Sequence, residues 1–247
     1  MAKIISIHSF RRGTGKSTLV ANLATLLAQQ GKRVAVVDTN FQSPTLNALF
    51  GLANPTATLN DYLWGDCPIE TAIHTLLVPS HHPSLYLVPA KPDVLGNINK
   101  ILRKGYADNL LAIAFEKLIE TLNLDVLLID LYAGLQEETL FTINISDMLV
   151  IVLRPDAQDY QGSSVTVEVT RHFQPPPQIM LVLNELPSGF NDSEVQQEVK
   201  RIYHCDTVFT LPHADEIMNL NNNAIFVQHY PLHPITTTLI NMTTHLG

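Results

Sequence analysis

Lys16 and Ser17 close the run Phe10-Arg11-Arg12-Gly13-Thr14-Gly15-Lys16-Ser17, which follows a short β-branched stretch and opens a helical one. Glycines at 13 and 15 let backbone N–H groups turn inward around an anion. A lysine supplies positive charge for β- and γ-phosphate oxygens, and a serine hydroxyl suits Mg²⁺. The loop is therefore expected to bind nucleotide phosphates through Arg12, Gly13, Thr14, Gly15, Lys16, Ser17 and Thr18. Two aspartates end apolar runs elsewhere. Asp130 follows Leu127-Leu128-Ile129, where a carboxylate can hold Mg²⁺ directly or through water beside Ser17. It can also cap the loop that follows. Asp38 ends Arg33 to Val37 in the same manner, and two strand-end aspartates facing one phosphate loop are more specific than either alone.

These residues need elements to carry them. Lys3 to His8 reads as a strand and Ser17 to Gln30 as a helix, with Leu19, Leu23, Leu26 and Leu27 at helical spacing and Gly31 as its C-cap. Further strands are expected at Arg33 to Val37, Ser84 to Val88, Asp125 to Ile129, Met148 to Leu153, Ile179 to Leu183 and Val208 to Leu211. Continuous apolar strands separated by helical patterns predict an α/β fold: a doubly wound, mostly parallel sheet with helices on both faces, as in a P-loop NTPase. One domain over 1–247 is expected, with a less regular insertion around 52–83 in which Leu59 to Trp64 and Ile69 to Leu77 read as short helices. Pro175-Pro176-Pro177 stops the helix before the strand that starts near Ile179.

Composition narrows the class. With 247 residues, 46% of them hydrophobic, the chain can build one sizeable core. A formal charge of −8 argues against a conventional basic nucleic-acid binder. Cys67 and Cys205 form no CxxC pair and are expected to be buried thiols. No apolar run is long enough to span a bilayer and the chain enters its first strand pattern directly, so a cytoplasmic location is expected.

The loop, together with Asp38, Asn40 and Gln42, Leu127-Leu128-Ile129-Asp130, Ala133-Gly134, Arg154-Pro155 and Leu211-Pro212, resembles the ParA/MinD family of deviant Walker-A ATPases. That family's loop reads Lys-Gly-Gly-x-Gly-Lys-Ser/Thr. The resemblance covers nearly the whole chain, and the McdA type that positions carboxysomes is similar to it within the family. It implies ATP and Mg²⁺ as ligands, an ATP-dependent homodimer, a cargo adaptor protein and non-specific DNA as partners, nucleoid association, and ATP hydrolysis that powers positioning or partitioning of a cargo; slow hydrolysis is expected from Asn40. It gives Lys16, Asp38, Asn40 and Arg11 catalytic roles, Ser17 and Asp130 the metal, and Asn184 and Pro212 the adenine side of the site. An Asn at a strand end also forms loops without any ligand.

Three positions depart from that pattern, beyond Phe10, which stands where the general P-loop has glycine. Arg11 replaces the signature lysine that reaches the partner's phosphates across a dimer. Arg12 replaces a glycine where two subunits approach; it can obstruct the dimer or serve as a phosphate clamp. Asn40 replaces an aspartate that positions the hydrolytic water, which removes a negative charge but keeps an acceptor. A hydrolysis-impaired nucleotide-binding regulator or adaptor is the alternative these departures favour.

The remaining clusters are weaker. The pair His81-His82 lacks metal-ligand spacing, and His204-Cys205 lacks a third ligand. Lys100, Arg103 and Lys104, and Lys200-Arg201, suit DNA phosphates or a solvated helix face equally. Residues 233–247 carry no Lys or Arg, so a basic amphipathic membrane anchor is not expected.

Overall fold

A computed structural model describes residues 2–77, 84–93, 106–205 and 207–247. The basic cluster at 100–104 and the histidine pair at 81–82 lie outside them. Eight strands form one sheet among the described residues: β1 (Lys3–His8), β2 (Val34–Asp38), β3 (His74–Leu76), β4 (Leu85–Val88), β5 (Val126–Asp130), β6 (Met148–Leu153), β7 (Gln178–Leu186) and β8 (Thr207–Pro212). Their order is β3-β4-β2-β5-β1-β6-β7-β8, and every pairing is parallel except β3 with β4. The doubly wound, mostly parallel sheet expected from the apolar strands is present.

Alternate residues of each strand serve two cores. On one face Ile5, Ile7, Val34, Val36, Val150 and Val182 meet the buried Leu19, Leu23 and Leu27 of α1 (Lys16–Gln29). On the other, Val37, Ile129, Ile151 and Leu183 pack with Phe115 and Leu118 of the helix Tyr106–Leu122. Strands buried on both sides read as unbroken apolar runs, which is why their positions are legible in the sequence. Helix α1 stops where Gly31, at φ +88°, lets Lys32 N–H bond the Leu27 carbonyl at 3.1 Å. The helix Pro234–Thr243 lays Ile235, Leu239 and Met242 into the core beside α1, so its apolar side is used internally.

The segment Ile69 to Leu77 is not one helix. Ile69–Ala72 makes a single 3-10 turn, and His74–Leu76 becomes β3, pairing antiparallel with β4 through Thr75 opposite Tyr86. An open sheet edge supplies hydrogen bonds that outweigh the weak helical spacing of a nine-residue stretch. Strand β7 also runs three residues beyond Leu183, through an irregularity in its pairing with β8. Cys205 is buried but Cys67 is only half-buried, and neither is in a disulfide. Among the described residues no group of His, Cys, Asp or Glu is placed to hold a metal by itself, and no helix is long and apolar enough to cross a membrane.

Candidate functional site

The parallel register brings the chemistry to one end of the sheet. Asp38 lies directly opposite Asp130 on β2 and β5, and Ile7 of β1 lies opposite Asp130 on its other side. The loop after β1 therefore begins where both carboxylates end. Gly13 and Gly15 take φ values of +74° and +93°, and a Cβ at 15 would fall 2.4 Å from Asn184 Nδ2. Glycine is required there by conformation and by space together. The loop then feeds the N-terminus of α1, a natural anion site.

Lys16 is buried, and its Nζ donates to Ser9 Oγ at 2.8 Å. Burial pulls its pKa down, against the upward pull of Asp130 and Asp38. Ser17 Oγ donates to Asp130 Oδ2 at 2.5 Å. Asp130 Oδ1 and Asp38 Oδ2 are buried without a hydrogen-bond partner, while Asp38 Oδ1 accepts from Asn40 N–H at 2.9 Å. Burial lifts the Asp130 carboxyl to about 6, and burial together with the charge of Asp130 lifts Asp38 well above the ordinary carboxylate range. Two buried carboxyls with free oxygens beside a serine hydroxyl make a hard, oxygen-rich donor set that fits a divalent cation such as Mg²⁺. His8, the last residue of β1, is fully buried with both ring nitrogens unpartnered; burial and then the charge of Lys16 hold it near 3, so it is neutral.

Beyond the loop opens a cleft of about 460 Å³, lined by Gly15, Lys16, Ser17, Thr18, Asn184 and Pro212 among others. Asn184 Nδ2 donates to the Thr14 carbonyl at 2.8 Å, tying β7 to the loop. The far wall is apolar, with Leu211, Ile217, Phe226 and Leu239, a surface suited to a planar base.

The three departures each have an intramolecular setting. Arg11 faces helix Ala157–Arg171: its Nε donates to Asp159 at 2.5 Å, Nη1 to Gln158 at 2.8 Å and Nη2 to Asp156, the helix N-cap. Asp159 is buried and also accepts from Arg154 N–H at 2.8 Å. The guanidinium is thus committed to its own chain. Arg11→Ala is expected to lower the thermal midpoint by about 2–8 °C, because Asp159 loses a charged partner, with Arg11→Lys recovering only part; an unchanged melting curve would refute the clamp. Arg12 bonds Gln42 and Tyr132. Asn40 uses both ends of its amide on Ser43, donating to its carbonyl at 2.8 Å and accepting from its N–H at 3.2 Å. An aspartate could not make the donating half.

Sequence reasoning passes over Tyr132, Asp156 and Asp159, and gives Gln42 and Arg154 no site role. Arg154 pairs with Glu185 at 3.2 Å and donates to the Gly13 carbonyl. Its place directly after β6, at the same end as Asp38 and Asp130, is the signal that could have found it. Phe10, the oddest loop residue, lies against Gly162 of the helix that holds Arg11.

A family model described as an AAA domain matches residues 2–180. An uncharacterised ATP-binding protein of Methanocaldococcus jannaschii is 33% identical over 176 residues, covering 69% of this chain and 60% of that protein. The septum site-determining protein MinD of a Synechocystis species is 31% identical over 159 residues, 63% of this chain and 54% of that one. The chain thus spans between half and two thirds of the length of both. An ATP complex of McdA from Cyanothece shares the fold, with a TM-score of 0.81 at 17% identity over 100% of this chain and 97% of that one.

Proposed function

Because the chain belongs to the AAA domain family and to its ParA/MinD group, we propose that it binds Mg-ATP in the cleft, hydrolyses it slowly, and uses the change of nucleotide state to position or partition a cellular cargo. The observation that carries this reading is the contact of Ser17 with Asp130 at 2.5 Å beside buried Lys16, with unpartnered carboxylate oxygens at the same end of the sheet. Lys16 and the loop N–H groups hold the phosphates. Ser17 and Asp130 hold Mg²⁺, which, when bound, neutralises phosphate charge. Asp38 fixes the segment after β2 through Asn40 N–H and orients the attacking water. Asn184 and Pro212 face the base.

Slow turnover follows from Asn40. Its amide is spent on closing the loop at Ser43 and carries no charge to organise a water molecule. The same observation favours a second reading, a nucleotide-bound regulator or adaptor that scarcely hydrolyses. Homodimerisation in ATP, an adaptor protein and non-specific DNA are the proposed partnerships, in a cytoplasmic, nucleoid-associated setting. On α-helix Asp192–Tyr203, Arg201 bonds Glu198 at 2.6 Å, so Lys200-Arg201 adds little net charge for DNA.

The test is nucleotide titration with and without Mg²⁺, with molecular mass and phosphate release followed in the same samples. Expected are Mg²⁺-dependent binding, turnover far below the ~10 s⁻¹ of a median enzyme, and a loss of affinity of about 100-fold or more in Lys16→Ala. Absence of binding at millimolar nucleotide would overturn the proposal. Binding without any phosphate release would select the regulator.

A further inference from the structure

Two adjacent arginines of the loop have opposite environments. Arg11 is neutralised by Asp156 and Asp159. Arg12 has neutral partners only: Nη2 donates to Gln42 Oε1 and Tyr132 Oη, its guanidinium lies 4.9 Å from the centre of the Tyr132 ring, and Tyr132 Oη donates to Gln42 Oε1 at 2.8 Å. Among the described residues no carboxylate forms an ion pair with it, and its charge presses instead on Lys16. Arg12 and Tyr132 line the nucleotide cleft, and Gln42 with Tyr132 lines the recess next to it. The three side chains come from three segments: the loop after β1, the segment after β2 and the segment after β5.

Resting on the nucleotide reading above, we propose that Arg12 is a γ-phosphate sensor acting within one copy of the chain. With ADP or no nucleotide it latches Gln42 to Tyr132. With a triphosphate it leaves these neutral acceptors for the added phosphate charge, so that the tie between the two post-strand segments runs through the nucleotide instead of through the Gln42–Tyr132 latch. The exchange is favourable because a guanidinium bonds an anionic oxygen about twice as strongly as a neutral one, and its fork matches phosphoryl geometry. Differential affinity for two states is the requirement for a switch, and Arg12 supplies it from a loop position that in the family's pattern is glycine.

The experiment compares ADP and ATPγS affinities, each with Mg²⁺, in the wild type, Arg12→Ala, Arg12→Lys and Tyr132→Phe, with amide hydrogen exchange over 39–45 and 131–136. Arg12→Ala is expected to weaken ATPγS by about 10- to 100-fold and ADP by less than about threefold. Arg12→Lys, which keeps charge but not the fork, recovers part of that loss. Tyr132→Phe removes the competing hydroxyl, so ATPγS binds as well as in the wild type or better. Exchange in both segments differs between ATPγS and ADP in the wild type and ceases to respond in Arg12→Ala. Equal losses for both nucleotides in Arg12→Ala, or a Tyr132→Phe defect matching it, overturn the sensor while leaving the nucleotide reading intact. A wild type that binds neither nucleotide overturns both.

Discussion

Gly162→Ala is expected to destabilise the protein by about 1–3 kcal/mol, the usual scale of overpacking, although alanine is normally the better helix residue by ~1 kcal/mol. A Cβ on residue 162 would fall 2.0 Å from Phe10 Cγ, 2.1 Å from Cδ1 and 2.7 Å from Cβ. Swinging the Phe10 side chain about its Cα–Cβ bond relieves the first two contacts but not the third, so backbone has to move. The backbone in question is the phosphate loop, two residues from Arg12, and nucleotide affinity falls with stability. The decisive variant is the pair Phe10→Gly with Gly162→Ala. Glycine at 10 clears the space, and in that background Gly162→Ala becomes stabilising through helix propensity. A denaturant double-mutant cycle measures the reversal as a coupling of about 2 kcal/mol or more, beyond the error of additivity. Gly162→Ala at wild-type stability would show that Phe10 does not hold the loop to the helix.

The second large effect concerns the buried carboxyls. With its folded-state value lifted from 3.8 to about 6, Asp130 contributes stability in full below the ordinary carboxylate pKa, and that contribution is lost as pH rises through about 6. A rise of that size corresponds to ~3 kcal/mol. Metal-free wild type is therefore expected to weaken between pH 4 and 7, and Asp38, lifted in the same direction, extends the decline upward. Asp130→Asn keeps a neutral acceptor for Ser17, flattens the profile, and is expected to be more stable than the wild type at pH 7 by up to about 3 kcal/mol. The same substitution abolishes the stabilisation by Mg²⁺ with nucleotide, which in the wild type grows as pH rises through 6. Urea unfolding across pH, with and without Mg²⁺, reads both. A destabilised Asp130→Asn at pH 7 would mean that the carboxylate serves the fold rather than a cation.

Local chemistry makes much of this legible. Seven of the eight described strands can be read from the sequence because burial on both faces leaves little polar alternation to confuse them, and the eighth, β3, escapes because three residues at an edge owe their conformation to β4. Lys16, Ser17, Asp38 and Asp130 stand out because strand ends and glycine spacing are sequence features, and parallel pairing at one register then unites them. Asp159 is not visible, since nothing near Arg11 in the chain points to a carboxylate 148 positions away. The joining of Tyr132 to Gln42 is hidden for the same reason, since 90 positions separate two side chains that meet at 2.8 Å. The meaning of Phe10 depends on a glycine in a distant helix.

The two rims of the sheet bear on how copies of this chain can meet. Strand β3 is three residues long, and β8 ends in Pro212, which has no N–H to offer a neighbouring strand. Short and proline-bearing margins make poor templates for intermolecular β-pairing. Contacts between copies of this chain are therefore expected to be built from side chains rather than from a continuation of the backbone ladder.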